Sequence, residues 1–280
     1  LHYQPGESFG TPTLEEATAT APEYYEAFLA DMNLRVPDDY AYVLAQYDGE
    51  ISFADAQIGR ITNHLKGRDL WDNTIVLLTS DHGECFGEGG VYFDHHGLYD
   101  AVVRLAFLWR APGARPARSD AMISNEDVLP TLAEVCGLEL PEYALTGRSF
   151  ASVLRGQYSG GRDCIIGIES TRQASICIRT EKWKLIQPIV QDINGRPLPD
   201  VYGRPRDPAP LLFDLQNDPA ERRDVGAQHA AVLHELAQRL TRWRAAEVTR
   251  RGGSDPLLEN GLSLGYEEFM TRLNERKLRG

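Results

Sequence analysis

The chain has 280 residues, 42% of them hydrophobic and 25% charged, which is enough for a sizeable buried core in one large domain or one and a half. Its formal charge of −12 repels a phosphate backbone and excludes an electrostatic case for nucleic-acid binding, while an anionic small substrate stays compatible because local charge can oppose the net charge. No apolar run is long enough to span a bilayer, and Cys85, Cys136, Cys164 and Cys177 lie far apart without a C-x-x-C pair, which argues for buried free thiols over a zinc knuckle or a disulfide framework.

In chain order, residues 5–22 are rich in Thr, Pro, Gly and Glu and read as a surface loop. Tyr47, Ile51, Ala54, Ile58, Ile61 and Leu65 recur at intervals of three and four, the apolar face of a helix, with Gly67 as its stop. After the turn at Asp72-Asn73, residues 74–79 form a short apolar run with β-branched residues. That pattern predicts a strand buried on both faces, as in an α/β sheet. A second strand is expected over 105–109, and Asp127 is placed to cap a helix running to Cys136, closed by Gly137.

The Gly-rich stretch at 156–161 reads as a boundary. Beyond it come short β segments at 164–168, 174–179, 182–186 and 211–215, with Asn194-Gly195 as the clearest turn. Val232, Leu233, Leu236, Leu240 and Trp243 then share one helix face. Strands followed by one helix predict a small antiparallel sheet with a helix packed on it. The segment from Arg250 onward is polar and reads as a loosely attached tail.

Chemistry concentrates at Ser80-Asp81-His82-Gly83-Glu84, at the C-terminal end of the predicted 74–79 strand. Ligands gather outside that end in open α/β sheets. Asp81 and His82 are adjacent in a turn that Gly83 permits, so both can address one cation; a simple polar turn is the competing reading. His95 and His96 follow a Gly-rich loop at 87–90, and an imidazole there can return to the same pocket as a partner for an anion.

Taken together, Tyr47-Asp48-Gly49-Glu50, Ser80-Asp81-His82-Gly83-Glu84, His96-Gly97-Leu98-Tyr99-Asp100, Ala111-Pro112-Gly113, Asp127-Val128-Leu129-Pro130-Thr131, Gly147-Arg148-Ser149, Leu212-Phe213-Asp214-Leu215 and Asp218-Pro219-Ala220-Glu221 resemble the sulfatase family of the alkaline phosphatase superfamily. The resemblance implies an α/β fold: part of an alkaline-phosphatase-like sheet sandwiched by helices, plus a small C-terminal antiparallel sheet with one helix. It implies a catalytic α/β part over 1–158, an α+β subdomain over 159–249 and a tail over 250–280.

The implied function is metal-dependent hydrolysis of a small anionic sulfate ester. Phosphodiester or phosphonate monoester hydrolysis, and a non-catalytic fragment or degenerate paralogue, are the alternatives. Asp81 and His82 would hold one divalent cation, Ca2+ by family habit, with Mn2+ or Zn2+ compatible with a His ligand. His95 or His96 would stabilise charge on the leaving oxygen: His95 by register with Lys-type relatives, His96 with His-type ones. Glu169 and Arg172, with Gln173, are weaker candidates for reading the organic part of the substrate, and an exposed loop is the plainer account of them.

The family's nucleophile motif, Cys or Ser followed by x-Pro-x-Arg, occurs nowhere in these residues. With the bare start at Leu1 this makes truncation the expectation, and a polypeptide inactive alone. Oligomeric state is unread. The compartment stands between cytoplasm and periplasm, the cytoplasm favoured.

Overall fold

The computed structural model describes residues 39–114, 116–140, 145–156, 161–200, 204–259 and 261–262. The surface loop expected at 5–22, most of the boundary at 156–161 and the tail beyond 262 lie outside the described residues. The chain divides into two compact units, one reaching to Asp94 and including Arg104–Ala117, the other made of His95–Val103 and everything from Arg118 on.

In the first unit, helix α1 covers Asp39–Gly67 and contains the periodic stripe. Ile58 and Leu65 are half-buried, whereas Tyr47, Ile51 and Ile61 are exposed. A 3-10 turn at Trp71–Asn73 follows. Arg110 stacks over the Trp71 ring at 4.1 Å and donates to the carbonyls of Trp71 and Thr74, at 2.6 and 3.0 Å. That clamp fixes the entry to β1 (Val76–Thr79), which pairs antiparallel with β4 (Phe107–Arg110), Val76 opposite Arg110 and Thr79 opposite Phe107. The strand predicted from residues 74–79 is therefore present, but it is half-buried with Thr79 exposed rather than covered on both faces. Among the described residues β1 has a single partner strand, and a two-stranded ribbon cannot enclose both of its faces. Between them, β2 (Cys85–Phe86) and β3 (Tyr92–Asp94) form an irregular hairpin that sets Cys85 opposite Asp94.

The second unit begins with α2 (Asp100–Val103). Helix α3 (Val128–Cys136) ends as predicted on Gly137, whose φ of 64° is a left-handed cap open to glycine. Its start corrects the sequence reading. Asp127 makes no side-chain cap to α3; it belongs to a preceding 3-10 turn, Asn125–Asp127, whose capping box joins it to Ser124. The carboxylate also accepts from Arg148 N and is gripped by the Arg162 guanidinium through two donors. A short helix α4 (Ala151–Leu154) follows.

The C-terminal sheet is antiparallel throughout, ordered β5 (Ile165–Glu169), β6 (Ser175–Arg179), β7 (Trp183–Pro188), β8 (Leu211–Asp214). Alternation sorts its residues onto two faces. Ile176, Ile178, Leu185 and Leu212 point to one core, shared with Leu236 and Leu240 of helix α5 (Ala230–Arg250). Cys177, Ile186 and Phe213 point to the other, which Leu98 joins. Both faces are covered, so these strands read as continuous apolar runs; each enclosed aliphatic side chain contributes about 1.5–3 kcal/mol. Leu257, on α6 (Pro256–Glu259), is buried in the α5 core, so this part of the presumed loose tail is packed structure. The four cysteines are free: Cys85 and Cys177 are buried, Cys164 is half-buried and Cys136, against expectation, is exposed.

Candidate active site

The two groups of residues that the sequence singles out fall in different units, Asp81 and His82 in the first, His95 and His96 in the second.

In the first unit β1 ends at Thr79 and the chain turns at once, leaving the Asp81 carboxylate 88% exposed. One oxygen of Asp81 accepts the His82 amide at 2.9 Å. The His82 ring places Nδ1 2.8 Å from the Gly83 carbonyl. A carbonyl only accepts, so Nδ1 carries the proton and the neutral ring keeps its lone pair on Nε2. That nitrogen lies 3.8 Å from Asp81 Oδ2. A lone pair and an anionic oxygen turned to one another at this separation suit a cation or a proton between them, and a carboxylate oxygen with an imidazole nitrogen is a competent donor pair for a divalent ion.

Glu84 continues the same loop. Burial raises its carboxyl first and the Asp94 charge raises it further, while His82 opposes them, and it is pushed up to about 7. Tyr47 of α1 stands edge-on to Phe86 with ring centroids 4.9 Å apart, and its hydroxyl is raised by burial and by Glu84, so α1 backs this loop. Cys85 is fully buried on β2 and has no surface from which to act as a nucleophile.

In the second unit His95 is exposed and His96 is half-buried, their rings 4.5 Å apart. The segment carrying them is pinned to the C-terminal sheet. Leu98 is 3% exposed in the core beneath β5–β8, and the Asp100 carboxylate meets the Lys184 ammonium at 2.8 Å and the Arg179 guanidinium at 3.2 Å. Asp100 N–H donates to Glu221, which also pairs with Lys184 at 2.9 Å. Burial alone would raise the Asp100 carboxyl, but Lys184 and Arg179 outweigh it and hold it below its ordinary range.

Glu169 corrects the sequence reading. It is 8% exposed at the end of β5, not on an open loop. Its carboxylate accepts from Gly97 N at 3.3 Å, Thr171 N at 3.2 Å, Arg172 N at 3.1 Å and the Thr171 hydroxyl. Four donors occupy it, and through Gly97 it anchors the 95–97 segment to the sheet. Arg172 and Gln173 are half-buried beside it. The Thr171 hydroxyl in turn lies 2.6 Å from His96 Nδ1.

Sequence reasoning missed Thr171, Lys184 and the role of Glu221. For Lys184 a signal exists: a single charge between Trp183 and Leu185 in an apolar strand has to be paired when both faces are covered. For Thr171 there is none, since its importance arises only from a fold that brings it to a residue 75 positions earlier.

Residues 2–138 match the sequence model described as Sulfatase, and residues 87–246 match the one described as N-sulphoglucosamine sulphohydrolase, C-terminal. The chain is 28% identical over 239 residues to a choline-sulfatase of Rhizobium meliloti, covering 80% of this chain and 45% of that protein. It superposes with a TM-score of 0.63 and 25% identity on a structure solved with its substrate, D-glucosamine-2-N,6-O-disulfate, covering 81% of this chain and 46% of the other. A phosphonate monoester hydrolase of Silicibacter pomeroyi gives a TM-score of 0.66 and 25% identity over 84% of this chain and 49% of the other. The chain spans less than half the length of these proteins.

Proposed function

Because the chain belongs to the sulfatase family, we propose that it is part of a metal-dependent hydrolase of sulfate esters, with Asp81 and His82 as metal ligands and His96 as the group that serves the leaving oxygen. The observation that carries this reading is the Asp81–His82 pair at the tip of β1, whose Nε2 lone pair and carboxylate oxygen face each other at 3.8 Å. Its chemistry fits a divalent cation, calcium by preference, since a carboxylate is a hard donor; the imidazole also admits manganese or zinc. A cation held there would supply Lewis-acid stabilisation of the negative ester oxygens.

The chain's own residues do the rest. Asp81 and His82 hold their geometry through the His82 amide and the Gly83 carbonyl. His96, held through Nδ1, presents an imidazole able to donate to the departing oxygen. The more exposed His95 is the secondary candidate for that role. The nucleophile comes from outside these residues, which contain no Cys- or Ser-x-Pro-x-Arg segment, and the chain is inactive by itself. A sulfated sugar or choline sulfate is the substrate class that the relatives' names favour.

Phosphonate monoester hydrolysis is the second reading, favoured by the likeness to the Silicibacter enzyme. Assaying the full-length protein against an aryl sulfate and a phenyl phosphonate monoester in parallel separates them. Higher kcat/KM on the sulfate supports the first reading; higher kcat/KM on the phosphonate replaces it with the second; turnover of neither removes both.

A further inference from the structure

The contacts that join Glu169, Thr171 and His96 fix where their shared protons lie. Three backbone N–H groups and one hydroxyl converge on the Glu169 carboxylate, and N–H groups can only donate. The oxygen facing Thr171, Oε1, already receives two of those amides, so a proton on it has no place to point. Glu169 is therefore an acceptor, and the single hydroxyl proton of Thr171 goes to it. What remains on Thr171 Oγ1 is lone pairs, and these face His96 Nδ1 at 2.6 Å. Nδ1 must then carry the proton. Glu169 Oε1 lies 3.9 Å from the same nitrogen.

We infer that Glu169 and Thr171 are positioning residues that lock His96 with its proton on Nδ1 and assign all chemistry of that imidazole to Nε2. Glu169 acts twice, orienting the Thr171 hydroxyl through Oε1 and holding the backbone of the histidine segment at Gly97 through Oε2. Thr171 acts as the spacer that lets a carboxylate order an imidazole it does not touch. This resembles the way a carboxylate orients a metal-bound or catalytic histidine, with a hydroxyl interposed. Where the ring is charged, Nε2 is the nitrogen with a proton to give; where it is neutral, Nε2 holds the lone pair.

The consequence for turnover rests on the sulfatase reading; the tautomer does not. The test uses the full-length protein with Thr171→Val and Thr171→Ser, 15N-histidine NMR to read which nitrogen of His96 is protonated, and steady-state hydrolysis of an aryl sulfate. Wild type is expected to show protonated Nδ1. Thr171→Val should lose that signature and reduce kcat by about tenfold to a hundredfold, with KM changed less than about threefold, while Thr171→Ser restores both. A Thr171→Val protein that keeps both the Nδ1–H signature and the wild-type kcat overturns the inference, as does a wild-type His96 protonated on Nε2 alone. If the wild-type protein hydrolyses no ester, the functional reading falls and the NMR result alone decides the relay.

Discussion

The Lys184 ammonium lies 2.8 Å from Asp100 Oδ1 with its side chain wholly enclosed. The contact joins the middle of the C-terminal sheet to the helix that follows the histidine segment, and Glu221 completes it on the other side at 2.9 Å. One buried cation thus serves two carboxylates, and Arg179 shares the Asp100 load. Removing the cation strands two acids in a low-dielectric interior, so Lys184→Met should destabilise the protein by about 3–5 kcal/mol. Urea unfolding checks this, and a loss below about 1 kcal/mol would show that the network contributes little.

The same network has a pH signature. Asp100 is held below the ordinary carboxylate range in the folded protein, so the unfolded chain binds its proton more readily. Its stabilisation is complete above the unfolded value and drains as pH falls through the folded one. Glu221 has the opposite sign: burial, aided by the Asp100 charge and opposed by Lys184, raises it, so its contribution fades as pH rises through its folded value. The deficit of Asp100→Asn relative to wild type should therefore be about 3 kcal/mol near pH 6 and shrink steadily towards about pH 3. A deficit that is flat across that range contradicts the assignment.

Gly147 tests the seat of the 3-10 turn. A Cβ there would stand 1.9 Å from the Glu126 carbonyl oxygen, a backbone atom that cannot swing aside. Gly147→Ala should cost about 3 kcal/mol by overpacking, read as a lowered Tm. An unchanged Tm would mean that the 145–148 segment lies elsewhere.

Metal binding offers a separate check. In the full-length protein, His82→Ala should lose saturable calcium binding in isothermal titration, because the Nε2 donor goes with the ring. His234→Ala, an exposed side chain on α5, should retain it. Equal binding by wild type and His82→Ala removes His82 from the ligand set.

Much of the fold was legible because strands and helices announce themselves by period. The short β segments expected at 174–179 and 182–186 and the helix expected to pack on their sheet are present, while the second buried face of that sheet, which Leu98 joins, was not foreseen. Position in three dimensions was less legible. Asp127 stands where a helix cap belongs, yet the fold spends its carboxylate on Arg162, 35 residues later, a partner no local pattern reveals. Glu169 looks like a loop residue because it precedes Ser170-Thr171-Arg172, but long-range contact with Gly97 buries it. The Asp81–His82 pair was legible since adjacent residues in a turn stay adjacent when folded. The contact between His96 and Thr171 was not, because that hydroxyl is supplied by a distant hairpin.

The most direct test of the whole account is the initial rate of aryl sulfate hydrolysis by the full-length protein, wild type against Asp81→Ala, in calcium buffer. The account predicts clear turnover by wild type and a loss of about a hundredfold or more in the variant. Equal rates for the two proteins would contradict it.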